Sequence, residues 1–62
     1  MVKYLTPAEV AEILQLSKST TYKLFNQKGF PSVKIGGNFR VAEDDLERFM
    51  KSYIGKEFII SD

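Results

Sequence analysis

The side chains that could do chemistry in this chain are basic, hydroxyl-bearing and amide groups, and they are concentrated in residues 17–41. This stretch contains no Asp or Glu, although the chain as a whole has 8 acids. Its bases are Lys18, Lys23, Lys28, Lys34 and Arg40. Lysine and arginine neutralise phosphates, while hydroxyl and amide groups bond to phosphate oxygens and base edges. The composition of residues 17–41 therefore predicts a surface that faces a nucleic-acid backbone.

The two parts of the chain differ in charge. Residues 1–41 hold six bases and two acids, a net charge of +4, whereas residues 42–62 hold three bases and six acids, a net charge of −3. The formal net charge of +1 conceals this segregation. An acid-free basic segment favours a phosphate-bearing partner, so we expect double-stranded DNA to be the ligand.

Missing residue types exclude several classes of function. The 62-residue chain has no Cys, no His and no Trp. Without cysteine there is no disulfide and no thiolate metal site, and without histidine the commonest general base and zinc ligand are absent. We therefore expect no enzyme activity, no cofactor and no metal. The acids Glu43, Asp44 and Asp45 are explained by the favourable charge of carboxylates at a helix start rather than by a metal.

The length and hydropathy of the chain predict a single domain away from membranes. The longest apolar run is Phe58-Ile59-Ile60, whereas a membrane span needs about 20 apolar residues. The N-terminal residues contain no apolar region typical of a signal peptide. We expect a cytoplasmic, nucleoid-associated location.

A first helix is predicted to begin near Pro7. Thr6 is placed to cap it, Pro7 suits the first helical position, and Glu9 completes a capping box. Its apolar face is predicted to comprise Val10, Ile13 and Leu14.

A second helix is predicted from Lys18 to about Gln27, with Ser17 as its cap. Leu24 and Phe25 are expected to point inward, and Gly29 supplies a left-handed stop. About three residues around Leu16 join the two helices, which is the spacing of a helix-turn-helix.

A short β-hairpin is predicted next. Polar and apolar residues alternate over 32–35 and again over 39–41, and a three-residue turn at 36–38 separates them. The predicted core residues of this hairpin are Val33, Ile35, Phe39 and Val41. Lys34 and Arg40 are expected to face solvent or a ligand.

A third helix is predicted to begin at the acids 43–45 and to end at Gly55. Its apolar positions are Leu46, Phe49, Met50 and Tyr53. The fold class is therefore a small α+β winged helix-turn-helix, with residues 1–55 as the domain and 56–62 as a C-terminal tail. Phe58, Ile59 and Ile60 either fold back onto the third helix or form a docking strand for a partner protein.

The predicted DNA interface has two parts. The second helix of a helix-turn-helix pair enters the major groove with its N-terminal residues. On this helix the residues that face away from Leu24 and Phe25 are Ser17, Lys18, Ser19, Tyr22, Lys23 and Asn26. The hairpin supplies Lys34, Gly37, Asn38 and Arg40, a thin tip with basic flanks that suits a backbone or a minor groove.

These segments together resemble a known family. The resemblance rests on LTPAEVAEIL (5–14), LSKSTTYKL (16–24), FPSVKIGG (30–37), FRV (39–41) and DLERF (45–49). It is to the small excisionase-type members of the MerR superfamily, and it covers about residues 5–50. The resemblance implies that the second helix is the recognition helix and that the hairpin is the wing.

Two positions depart from the family pattern. Gln15 stands where the family often has Gly, and it is expected to strain or reshape the turn. Thr21 stands where the family often has Val, and it places a hydroxyl at a half-buried position. We expect this hydroxyl to bond back to the preceding helical turn.

The resemblance implies a sequence-specific architectural DNA-binding protein that helps an integrase excise a mobile element. Specificity would then require an integrase partner or neighbouring copies on DNA. The sequence lacks the long coiled-coil helix of full MerR regulators, so a monomer in free solution is expected. The alternatives are a small transcriptional regulator built on the same domain and a protein-interaction module that does not bind DNA.

Overall fold

The chain folds into three helices and a three-stranded antiparallel sheet. The computed structural model describes residues 2–61. The elements in chain order are β1 (Tyr4–Leu5), α1 (Pro7–Leu14), α2 (Lys18–Phe25), β2 (Ser32–Ile35), β3 (Asn38–Ala42) and α3 (Glu43–Ser52). This architecture confirms the predicted small α+β winged helix-turn-helix.

Both ends of α1 are fixed by local hydrogen bonds. The Thr6 backbone N–H donates to Glu9 Oε1 at 2.9 Å, and the Glu9 N–H donates to Thr6 Oγ1 at 3.1 Å, so the predicted capping box is present. At the other end Gln15 adopts the left-handed conformation, with φ 57° and ψ 46°. The Leu16 N–H then donates to the Ala11 carbonyl at 2.9 Å, which closes a Schellman-type turn. This turn sets the direction in which α2 leaves α1.

Helix α2 begins at a serine cap. Ser17 Oγ accepts from the Thr20 N–H at 3.2 Å. Thr21 Oγ1 donates to the Ser17 carbonyl at 2.8 Å, as predicted, although Thr21 is fully buried rather than half-buried. The helix ends at Phe25, earlier than the predicted Gln27, because the Gln27 N–H bonds to the Leu24 carbonyl and tightens the last turn.

The sheet has the strand order β1-β3-β2. Strand β1 was not predicted, since a two-residue strand is too short to show alternation. It pairs Tyr4 with Ala42 and Leu5 with Val41, and it makes β3 the central strand.

The register of the hairpin corrects the sequence prediction. The turn consists of Gly36 and Gly37 alone, with φ 57° and 83°, and Ile35 pairs with Asn38. Positive φ at both central residues is the requirement of the tight hairpin turn that matches strand twist. A turn one residue shorter than expected shifts the pairing by one residue. This shift places Val33 and Ile35 on the face of the hairpin opposite to Phe39 and Val41.

The predicted hairpin core is therefore half wrong. Val33 and Ile35 are 46% and 64% exposed, because they share the outer face of the sheet with their partners on β3. Val41 is fully buried and Phe39 is partly buried on the inner face.

The core lies between the inner face of the sheet and the three helices. Its buried members are Leu5, Val10, Leu24, Phe25, Phe30, Val41 and Leu46. Partly buried residues packed against it include Leu14, Leu16, Phe39 and Phe49.

Two predicted apolar-face residues lie outside this core. Ile13 is 55% exposed, because the buried face of α1 passes through Val10, Ala11 and Leu14, and consecutive helix positions are about 100° apart. Met50 is 42% exposed and lines a shallow groove with Ile13 between α1 and α3.

The C-terminal tail packs onto the domain. The Phe58 ring meets Phe49 and Tyr53 edge-on, with centroid distances of 5.0 and 5.3 Å. Gln27 Nε2 donates to the Ser61 carbonyl at 2.7 Å, which ties the tail to the end of α2. The packing interpretation is thus confirmed for Phe58, while Ile59 is 74% exposed. Across residues 2–61, no helix has the length and apolar character needed to cross a membrane.

Candidate nucleic-acid interface

The predicted contact residues of α2 lie on one exposed face. Thr21, Leu24 and Phe25 are buried beneath the helix and hold it against the core. The residues that this packing leaves exposed are Ser17, Lys18, Ser19, Tyr22, Lys23 and Asn26. The structure therefore brings all six predicted side chains to the surface of a single short helix.

The N-terminal end of α2 combines a fixed cap with a nearby base. Besides accepting from the Thr20 N–H, Ser17 Oγ donates to Thr20 Oγ1 at 2.8 Å. Ser19 Oγ lies 3.4 Å from Ser17 Oγ. Ser17 thus serves the helix itself, which positions Lys18 in the first turn. No acid occurs in that turn, so Lys18 and the positive end of the helix dipole both favour an anion.

An aromatic contact joins α2 to the hairpin. The ring centroids of Tyr22 and Phe39 are 6.5 Å apart, and Phe39 packs on buried Phe25 at 5.6 Å. Lys34 Nζ lies 5.2 Å from the Phe39 ring centroid, within cation–π range. Phe39 therefore holds Tyr22 of α2 and Lys34 of the wing (the β2–β3 hairpin, residues 32–42) beside each other. Sequence reasoning assigned Phe39 to the core and missed this linking role.

The two predicted wing bases lie on opposite faces of the hairpin. Lys34 pairs with Phe39 on the inner face, whereas Arg40 pairs with Val33 on the outer face. Arg40 Nη1 donates to the Phe39 carbonyl at 2.6 Å, so the guanidinium lies along its own strand. Between them lies the exposed tip, the Gly36–Gly37 turn, with exposed Asn38 beside it at the start of β3. The wing thus presents one base on each side of a narrow tip.

At the C-terminal end of α2, the side chain of Asn26 bonds to the backbone of the helix. Asn26 caps the helix, and its Nδ2 donates to the Tyr22 carbonyl at 2.9 Å. Lys28 follows in the turn and is exposed. Of the Asn26 amide, only the groups outside this bond can face a ligand.

The acids of α3 lie outside the acid-free segment 17–41. Glu43, Asp44 and Asp45 form the first turn of α3, which the dipole favours. Lys51 Nζ pairs with Glu47 at 2.9 Å, and this hydrogen bond lowers the pKa of the Glu47 carboxyl. Among residues 2–61, no cluster of three or more acids, histidines or cysteines is arranged to hold a metal ion. We call the solvent-accessible side chains of α2 and the wing within residues 17–41, half-buried Arg40 included, the basic face.

Comparison with known proteins agrees with this architecture. Two curated relatives, the provisionally named DNA-binding proteins MT0521 and Rv0500A from two strains of Mycobacterium tuberculosis, are each 46% identical to the chain over 37 residues. The matched segment covers 60% of this chain and 47% of each relative, so it spans about half of their length. No solved structure gives a significant match.

A family model described as a helix-turn-helix domain matches residues 4–53, which include every helix and strand of the described structure. The chain therefore belongs to this helix-turn-helix domain family.

Proposed function

We propose that this chain is a sequence-specific architectural DNA-binding protein of excisionase type, within the MerR superfamily. It binds double-stranded DNA near a recombination site, bends or orders that DNA, and assists an integrase in excising a mobile element. Family membership and the DNA-binding names of the relatives support the DNA-binding part of this proposal.

The observation that carries the proposal is the basic face. It combines the exposed side of α2 with both sides of the wing, and residues 17–41 contain five bases and no acid. In this proposal Lys18, Ser19, Tyr22 and Lys23 meet the major groove, where the N-terminal part of a recognition helix reaches base edges. Lys34, Asn38 and Arg40 meet the backbone or the adjacent minor groove.

The size of the basic face suggests how the protein works. A single helix-plus-wing module buries about 600–1,000 Å² on DNA, which supports only modest affinity. Specific occupancy therefore requires neighbouring copies on repeated sites or a partner protein. The tail is the element proposed to contact an integrase, with Ile59 exposed and Phe58 and Ile60 packed beneath it.

The first test measures binding to a random-sequence duplex by fluorescence anisotropy, repeated over a range of salt concentrations. Neutralising three to five phosphates predicts a slope of log affinity against log salt of about −3 to −4.5. A slope in this range supports DNA as the ligand and provides the assay for selecting a target site. Absence of binding at low salt would assign the basic face to a protein partner.

The recombination role needs a separate test. The test needs the purified integrase of a mobile element encoded beside this protein and a plasmid that carries that element. The integrase should excise the element faster when this protein is added. Removing residues 56–62 should abolish the stimulation, and Ile59→Ala should reduce it while leaving the fold and DNA binding in place, if the tail contacts the integrase. DNA binding without any effect on excision would favour a transcriptional regulator that uses the same domain.

A further inference from the structure

The outer face of the wing carries two exposed aliphatic side chains beside polar ones. Ile35 is 64% exposed and Val33 is 46% exposed. Their partners across the hairpin are Asn38 and Arg40, and directly paired residues lie on the same face of a sheet. An apolar stripe therefore runs along the outer face to the tip and is bordered by an amide and a guanidinium.

The tip of the wing is narrow. Gly36 and Gly37 form the whole turn, and apart from their chain neighbours no described residue lies within 4 Å of where a Cβ of either glycine would stand. Ile35 is the last strand residue before this turn and its side chain is the bulkiest group there. Since the minor groove of B-DNA is about 6 Å wide, a hairpin without side chains at its turn can approach the base edges.

Burial inside the protein does not account for Ile35. The inner face of the hairpin, with Phe39 and Val41, provides the packing against the core. Two other isoleucines are more exposed, Ile54 at 76% and Ile59 at 74%, but they lie outside the acid-free segment. Ile35 differs because Asn38 is its direct cross-strand partner and Arg40 lies on the same face.

We propose that Ile35 is an apolar wedge that enters the minor groove and partly unstacks a base step. Proteins that kink DNA insert aliphatic side chains in this way, and arginine is favoured in a narrow minor groove beside them. Arg40 and Asn38 contact the DNA backbone and the edges of the groove, while the Ile35 side chain is buried against the unstacked bases. The inference rests on the proposed DNA-binding function and specifies how the DNA is bent.

The test uses a duplex selected by the full chain, labelled at both ends for energy transfer and carrying 2-aminopurine at successive positions. Wild-type protein should shorten the end-to-end distance and raise the 2-aminopurine fluorescence at one step. Ile35→Thr keeps a β-branched side chain but removes apolar bulk, so it should lose both signals. Ile35→Met restores apolar reach and should retain them.

Binding strength gives a second readout. Ile35→Thr should weaken affinity about tenfold through lost apolar burial while the salt slope stays unchanged, because no charge is removed. Ile54→Ala is the matched control and should bind and bend as wild type. An unchanged melting temperature for Ile35→Thr establishes that the exposed substitution leaves the fold intact.

The outcomes separate this inference from the function on which it rests. Normal bending and affinity in Ile35→Thr would overturn the wedge while leaving DNA binding intact. A wild-type protein that fails to bind any duplex would overturn the proposed function itself.

Discussion

A single residue, Gln15, carries the sharp turn between α1 and α2 at a conformational cost. Its φ of 57° lies in the left-handed region, where a Cβ crowds the following carbonyl. Glycine avoids this clash but loses more chain entropy on folding. We expect Gln15→Gly to raise the free energy of unfolding by about 0.5 kcal/mol, because relief of the clash exceeds the entropy loss.

Urea denaturation measures this change, and Glu12→Gly provides the control. Glu12 is exposed inside the right-handed part of α1, so glycine there should lower stability by about 1 kcal/mol. If both substitutions lowered stability equally, strain at Gln15 would be contradicted.

Glu9 gives the stability of the domain a dependence on pH. The Thr6 backbone N–H donates to the Glu9 carboxylate and, with smaller contributions from Lys3 and Arg40, holds the pKa of Glu9 below its ordinary value of 4.5. Since the folded pKa is lowered, the Glu9 contribution is fully present above pH 4.5 and is lost as the pH falls through the folded pKa.

The variant Glu9→Gln isolates this effect. Its deficit in unfolding free energy relative to wild type should be constant above about pH 5.5 and should shrink on acidification, since the wild-type carboxylate becomes protonated. Urea unfolding at a series of pH values measures the difference. A deficit that does not change between neutral and strongly acidic pH would show that the charge of Glu9 has no role in the cap.

At the scale of elements, the contribution of the tail to the stability of the domain can be measured by two substitutions at adjacent residues. Phe58 packs against Phe49 and Tyr53, while the adjacent Ile59 faces solvent. We expect Phe58→Ala to lower stability by about 2 kcal/mol, less than for a fully buried phenylalanine. Ile59→Ala should change stability by less than about 0.5 kcal/mol.

Thermal unfolding followed by circular dichroism distinguishes the two variants, since about 1 kcal/mol shifts the melting temperature of a domain this small by about 4–8 °C. Equal, small shifts for both would mean that the tail does not stabilise the domain. The pair also guides partner studies, because Ile59→Ala can disturb docking without disturbing the fold.

The starts of α1 and α2 were predictable from sequence because their caps are local. Thr6, Glu9 and Ser17 act within one turn of their own positions, and the structure has all three in those roles. The hairpin register was not predictable in the same way. Both a two-residue and a three-residue turn suit the Gly-Gly-Asn sequence, and each gives a regular alternation of faces.

Tertiary context decides between these registers. Pairing Lys34 with Phe39 lets Phe39 and Val41 face Phe25 while leaving Val33 and Ile35 outside. Strand β1 depends on the same context, since Tyr4 and Leu5 become a strand only when β3 is beside them. The candidate site was therefore predictable as a set of residues, whereas the link through Phe39 and the outer apolar stripe required the structure.

On the scale of the whole molecule, the distribution of charge matters more than its total. The net charge is +1, yet the basic face carries no acid and α3 begins with three. If total charge alone attracted the ligand, the loss of any lysine would weaken binding equally. If the ligand docks on the basic face, the loss in affinity depends on where the lysine lies, because exposed charges farther away than about one Debye length are screened.

Two lysines make this distinction measurable. Lys18 lies in the first turn of α2, and Lys56 lies beyond the end of α3; both are exposed, and each substitution by alanine removes one unit of charge. If DNA docks on the basic face, Lys18→Ala should weaken binding several-fold and make the salt slope shallower by about 0.9, the share of one phosphate contact. Lys56→Ala should leave the slope within error of wild type. Anisotropy titrations of the two variants in parallel decide the matter, since equal changes would mean that no particular face of the protein meets DNA.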